Sequence, residues 1–186
     1  MNHAYIDESQ RPGRYLLTAA IVPSADLQSV TTRVRAAQPR GQQRSHMSSL
    51  DDSRKRQVLR AYVSEGIGGQ ILVAHYSGGD DQPARNECLE ALVGVLGGLR
   101  VTMMILDGRR PEQNTLDRQA LARALEGVPP AARPQYAHRG SKNEPLLSLP
   151  DAYGWAWGAG GVWRKMVAPV ITVVEPGTRK TRRLLG

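Results

Sequence analysis

The sequence predicts an α/β domain built on a mixed sheet, and three observations carry that expectation. Residues 4–7 and 15–22 are β-rich segments either side of a turn at Arg11-Pro12-Gly13, which reads as an antiparallel hairpin. Beyond them, short apolar runs alternate with helical segments of about 10–16 residues, the pattern of strands joined by crossover helices and hence of some parallel pairing. Over 186 residues, 40% are apolar and 23% charged, which describes one globular domain large enough to bury a core.

Taken in order, residues 27–37 space Leu27, Val30 and Val34 as a helix, stopped by Pro39. Residues 40–44 read as a polar loop or weak strand. Ser48 and Ser49 precede Asp51 and Asp52 in the manner of a capping box, opening a helix that runs to Glu65-Gly66. Residues 70–76 (QILVAHY) form a buried-type strand stopped by Ser77-Gly78-Gly79-Asp80. A helix from Pro83 gathers Cys88, Leu92, Val95 and Leu96 on one face and ends at Gly97-Gly98. The strand at residues 101–106 (VTMMIL) ends in Asp107-Gly108. Asn114 is the predicted cap of the next helix, with Leu121, Ala124 and Leu125 inward and Gly127 closing it. Residues 133–138 read as a fifth strand. Pro150 suits the first position of a helix, whose Trp155, Trp157 and Trp163, interleaved with Gly154, Gly158, Gly160 and Gly161, indicate close packing. Residues 170–174 (VITVV) make a last strand. The domain is expected to span residues 1–175, with 176–186 a basic, disordered tail.

Composition narrows the functional classes. The single cysteine, Cys88, excludes a disulfide framework and a Cys-rich zinc site, and its apolar neighbours make it a core residue. The opening residues lack the layout of a signal peptide and no run of about 18 apolar residues occurs, so a cytoplasmic protein without a membrane partner is expected. With 25 Lys+Arg against 17 Asp+Glu, the formal net charge is +8. An isoelectric point near 10.1 favours a polyanionic partner such as nucleic acid. Aromatic residues amount to 5%, with no Phe, which argues against a row of base-stacking rings. No Gly-rich phosphate loop, Ser-His-Asp order or dinucleotide fingerprint is present.

In α/β sheets, ligands gather at the carboxyl ends of strands. Asp7-Glu8 ends the first strand, Asp107 ends the strand at 101–106, and Asp151 opens the helix after Pro150. Three carboxylates from three elements could hold hard divalent cations at a sheet edge, with Mg²⁺ keeping water and phosphate as its other ligands. Two such ions would suit phosphodiester hydrolysis. Period-two alternation sends Asp7 and Glu8 to opposite faces, so one of them is the central ligand. Each acid also has a plainer reading, Asp151 as a helix-dipole partner and Asp107 as a turn residue. His3 and His138 carry no functional pattern, and His75, inside the QILVAHY run, reads as a core or strand-end residue. Spacing alone leaves an α/β protein of open role.

Four segments in order resemble the family called domain of unknown function 3800. They are Tyr5-Ile6-Asp7-Glu8-Ser9 with the following strand, Arg44-Ser45-His46-Met47 before an Arg-rich helix, residues 103–110 (MMILDGRR) with Asn114 and Asp117-Arg118, and residues 144–152 (EPLLSLPDA). The likeness extends from Tyr5 to Val174 and implies a ribonuclease H-like fold. It makes Asp7, Asp107 and Asp151 the metal ligands, with Glu8 and His46 assisting catalysis and Mg²⁺ or Mn²⁺ as cofactor. Two departures stand out. Asp107 occupies a place where Glu is expected, and no acid lies between Asp26 and Asp51 to serve as a fourth carboxylate.

Arg109 and Arg110, just past Asp107, and Lys142, ahead of Asp151, are placed to engage phosphate. Arg54, Lys55, Arg56 and Arg60 fall on one predicted helix, as a phosphate-tracking surface or a solvated face. The tail, with Arg179 and Lys180, would add sequence-independent affinity. The resulting expectation is a metal-dependent nuclease acting on RNA or DNA. The alternatives are a catalytically degenerate ribonuclease H-like module that binds nucleic acid without turnover, and a protein-binding subunit. A homodimer is compatible with any of them.

Overall fold

A computed structural model of the chain describes residues 1–38, 46–140 and 143–176. The hairpin at its start is longer than predicted: β1 (Asn2–Arg11) and β2 (Gly13–Pro23) pair antiparallel along their whole length, from Asn2–Pro23 to Arg11–Arg14. Gly13, at φ +76°, makes the tight reversal that a Cβ would strain. After α1 (Leu27–Ala37) and α2 (Asp52–Ser64) come β3 (Gly69–Tyr76), α3 (Gln82–Gly97), β4 (Val101–Asp107), α4 (Pro111–Glu126), β5 (Gln135–Arg139), α5 (Ser148–Ala159), α6 (Gly161–Val167) and β6 (Ile171–Val174).

The sheet runs β5-β4-β1-β2-β3-β6. Strands β1, β2 and β3 are antiparallel neighbours, while β4 lies parallel to β1, β5 parallel to β4, and β6 parallel to β3. The mixed, helix-flanked α/β sheet expected from sequence is therefore the observed one. Its two faces bury separate cores, as strand alternation requires. On one, Ala4, Ile6, Met104 and Leu106 meet Cys88, Leu89 and Leu92 of α3 and Leu121 of α4. On the other, Tyr5 and Ile105 meet Val30 and Val34 of α1, Leu59 of α2, and Leu149 and Tyr153 of α5. Burial of each such aliphatic side chain contributes about 1.5–3 kcal/mol. Cys88 is wholly buried, and that burial pushes its thiol up to about 12, so it packs and does not react.

Several helix starts differ from the sequence reading. Asp51, not Ser48 or Ser49, caps α2, its Oδ1 accepting the Arg54 amide at 2.9 Å. Ser48 and Ser49 belong instead to a single 3₁₀ turn, Met47–Ser49. Helix α4 begins at Pro111, and Asn114 lies inside it, folding its side chain back onto the Arg109 amide at 2.9 Å. Pro150 is the third residue of α5, and the Trp- and Gly-rich segment is two helices, broken at Gly160 (φ +74°). His75 is exposed near the end of β3. Residues 40–44 and most of the expected tail lie outside the described residues.

Candidate active site

Parallel register places Ile6 of β1 beside Leu106 of β4. The next residue on each strand is an aspartate: Asp107 is the last residue of β4, whereas Asp7, expected at a strand end, lies inside β1, just past the point where its pairing with β4 stops. Ile6 and Leu106 belong to the α3–α4 core, Tyr5 and Ile105 to the other. Alternation therefore puts both aspartates on the α5 side of the sheet. Asp7 is nearly buried, 8% exposed, and its Oδ1 accepts the Glu8 amide at 2.8 Å. Asp107 is half-buried.

Helix α5 brings the third acid. It lies against β1 and β2 at a small-residue contact: Gly154 sits over Thr18, the cross-strand partner of Asp7. Asp151, one turn earlier, accepts the Met47 amide on Oδ2 at 2.9 Å, and its Oδ1 is 3.7 Å from His46 Nδ1. The structure thus unites two residues that sequence placed in separate segments, His46 and Asp151, and sets that pair on the same side of the sheet as Asp7 and Asp107. Among the described residues, no group of three or more His, Cys, Asp and Glu side chains is gathered closely enough to hold a metal ion.

Glu8 takes the face that alternation assigns it, and Arg109 joins it there. Alternation carries Glu8 to the α3–α4 face, where its carboxylate meets Arg85 at 2.8 Å and Arg109 at 3.4 Å. Arg109, its side chain 10% exposed, folds over that same face and binds Asp81 at 2.6 Å. Arg109 is held there by two carboxylates, Glu8 and Asp81, and Glu8 lies on the opposite face of the sheet from Asp7. Arg110 is exposed ahead of α4. Lys142, Arg179 and Lys180 lie outside the described residues.

Sequence reasoning missed the network that captures Glu8. Arg85, 1% exposed, grips Asp117 in a bidentate pair and also donates to the Tyr15 hydroxyl at 3.0 Å. Asp117 is fully buried and contacts His138 Nε2 at 3.0 Å. Burial alone would push the Asp117 carboxyl up, but hydrogen bonds from His138 and Arg85 outweigh it and hold the group below the usual carboxylate range. A signal existed: Arg85 shares a helix face with Cys88, Leu89 and Leu92, and Asp117 with Ala120 and Leu121. A charge in an apolar stripe on each of two neighbouring helices is the mark of a buried pair. Glu144, 8% exposed, is a further acid that sequence did not single out; it pairs with Arg139 at 2.9 Å.

No family model and no curated protein matches the chain. The fold itself has a counterpart: a chain in the structure of the PCNA:RNase HII complex from Archaeoglobus fulgidus superposes with a TM-score of 0.54 at 11% identity, covering 86% of this chain and 73% of that one. The fold is ribonuclease H-like. That likeness bears on the fold alone, and the resemblance to the domain of unknown function 3800 has no family-model match beside it. Among the described residues, no helix is long and apolar enough to cross a membrane.

Proposed function

We propose that the protein is a metal-dependent nuclease that hydrolyses phosphodiester bonds in RNA or DNA, with Asp7, Asp107 and Asp151 as the residues that hold Mg²⁺ or Mn²⁺. The observation that carries this reading is the register: Asp7 and Asp107 each follow the last paired residues of adjacent parallel strands, on one face of a ribonuclease H-like sheet, and α5 brings a third acid to that face. The donors are all carboxylate oxygens, which suit these hard cations. Bound there, the metal would activate water and offset charge on the phosphate.

The chain's own groups have distinct parts. The Met47 amide fixes one oxygen of Asp151 and leaves the other toward the His46 imidazole. His46, whose side chain is 60% exposed, is accessible to exchange a proton with water or with a departing group. Arg110 is exposed next to Asp107, where its guanidinium can hold a phosphate. Lys142, Arg179 and Lys180 add positive charge on the same reading.

One observation favours a second reading, a module that binds nucleic acid without turnover: Glu8 is committed to Arg85 and Arg109, and the described residues hold no gathered three-acid cluster. Labelled single-stranded, duplex, hybrid and branched substrates, each with Mg²⁺ or Mn²⁺, separate the two. Metal-dependent cleavage that falls at least ~100-fold in Asp7→Asn and in Asp107→Asn is expected. Salt-sensitive binding with no cleavage of any substrate overturns the nuclease in favour of the module. Neither binding nor cleavage overturns both.

A further inference from the structure

We propose that the face formed by α2, α5 and α6 is a docking track for the phosphodiester backbone of nucleic acid, made of cations that tryptophan rings hold in place. The inference rests on the nucleic-acid reading above and assigns that partner a surface.

Two cation–ring contacts lie on this face and a third flanks it, since Trp157 is two residues from Trp155 on α5 and so points to another side of that helix. Lys55 Nζ stands 4.8 Å from the centre of the Trp155 ring, the Arg56 guanidinium 4.9 Å from Trp163, and the Arg164 guanidinium 4.8 Å from Trp157. Trp155 and Trp163 meet edge to face at 5.2 Å, which joins two of the contacts into one unit across α2, α5 and α6. A ring beneath a guanidinium restricts a side chain that would otherwise sample many rotamers, so less freedom is lost when it meets an anion.

The track has a seat of the right chemistry. Ser53, Arg56, Gln57 and Arg60 share one face of α2, spaced i, i+3, i+4 and i+7, and line a shallow depression. Two guanidinium groups, a hydroxyl and an amide are the donors that a phosphate accepts from. Arg56 belongs both to this seat and to the ring cluster. Lys55 is largely covered and paired with Asp52 at 3.4 Å, so it anchors the cluster internally. Arg56, Arg60, Arg164 and Lys165 form no ion pair with an acid among the described residues. The partner that matches Arg56 and Arg60, two cations on one helix face without an acidic partner among the described residues, is a polyanion.

Position and specificity follow. Trp155 stands four residues after Asp151 on α5, a neighbour on the same helix surface, so the track begins beside the His46–Asp151 pair. Each ring already carries a cation, and what it offers a partner is that cation's N–H groups. The track therefore reads backbone, with no preference among bases.

The test is fluorescence anisotropy without metal, using labelled DNA and RNA oligonucleotides, single-stranded and duplex, across a salt series. Vesicles of equal parts phosphatidylserine and phosphatidylcholine form a separate arm. Arg56→Gln with Arg60→Gln should weaken oligonucleotide binding by ~10-fold and flatten the slope of log affinity against log salt by about 1.4–1.8, the loss of two phosphate contacts. Exposed Arg60→Gln with Ser53→Ala should weaken binding and flatten the slope by about 0.7–0.9, one charge contact, without disturbing the rings. Arg123→Gln, on α4 across the sheet, is the control and should change neither quantity beyond the loss of general charge. Circular dichroism and Tm establish that each variant is folded. Binding by the parent chain that neither double variant alters overturns the track and leaves the nuclease reading standing. Binding to the vesicles but to no oligonucleotide overturns both. A metal-dependent cleavage defect confined to Asp7→Asn and Asp107→Asn bears on the nuclease reading alone.

Discussion

Arg85 of α3 and Asp117 of α4 face each other in a fully buried bidentate pair, Nε to Oδ1 at 2.7 Å and Nη2 to Oδ2 at 2.8 Å. The third nitrogen of the same guanidinium reaches Glu8 at 2.8 Å and the Tyr15 hydroxyl at 3.0 Å. One side chain thereby ties two helices to the ends of β1 and β2. Glu8 directly follows Asp7, so the fixed end of β1 also fixes the backbone from which Asp7 projects to the opposite face.

Breaking that pair from one side should be costly. Arg85→Met leaves Asp117 buried with His138 as its remaining strong partner and strips Glu8 of a counter-ion. The expected loss is about 3–5 kcal/mol in urea unfolding, because an uncompensated buried charge remains. Replacing both residues, Arg85→Met with Asp117→Leu, should recover a substantial part. A single variant that loses less than about 1 kcal/mol would show the pair to be unimportant to stability.

The same carboxylate sets a pH dependence. Its native affinity for protons is held below the ordinary carboxylate range by His138 and Arg85 against the opposing effect of burial. The unfolded chain therefore binds a proton at a pH, about 4, where the native chain does not. The stability that Asp117 contributes is complete above that range and is lost as pH falls through and below it. Unfolding free energies measured between about pH 7 and pH 3 should decline at the acid end, and Asp117→Asn should decline less steeply from a lower starting point.

What was legible in sequence was what repeats locally. Strand alternation correctly sent Glu8 to the face opposite Asp7, although β1 continues to Arg11 and does not end at Asp7-Glu8 as sequence suggested. What was not legible depended on where the chain goes after a strand. Arg109 follows Asp107 by two residues and reads as a loop cation near it, yet the backbone after β4 turns toward α3, and Asp81 and Glu8 capture the side chain. Asn114 has the composition of a cap, but Pro111 already suits the first turn, so the helix starts earlier and the amide folds back on Arg109 instead. His46 could be joined to Asp151 only by the fold, since 104 residues separate Met47 from the acid whose carboxylate it orients.

Gly154 is required by the approach of α5 to the sheet. A Cβ there would stand 2.7 Å from Thr18 Oγ1, a hydroxyl that is buried and has no hydrogen-bond partner among the described residues. Gly154→Ala should destabilise by about 1–3 kcal/mol from overpacking, although alanine is intrinsically the better helix former. Thr18→Ala removes the obstructing atom, so the double variant should lose less than the sum of the two singles. On the nuclease reading, Gly154→Ala should also slow cleavage, since the displaced helix carries Asp151. A strictly additive cycle would show that the two residues do not meet.

Metal binding can be tested without any substrate. If Asp7, Asp107 and Asp151 jointly hold a divalent cation, the ion binds the native chain and not the unfolded one, and mass action raises stability. At a free concentration about 100 times the dissociation constant the gain is about 2.7 kcal/mol, roughly 5–10 °C in Tm for a chain of this size. Asp107→Asn should abolish the Mn²⁺-dependent shift. The comparison of interest is therefore the difference with and without Mn²⁺ in each protein, not the absolute Tm. A parent chain whose Tm is unmoved by millimolar Mn²⁺ and Mg²⁺, or a shift that survives intact in both Asp7→Asn and Asp107→Asn, would place any bound ion away from this edge of the sheet.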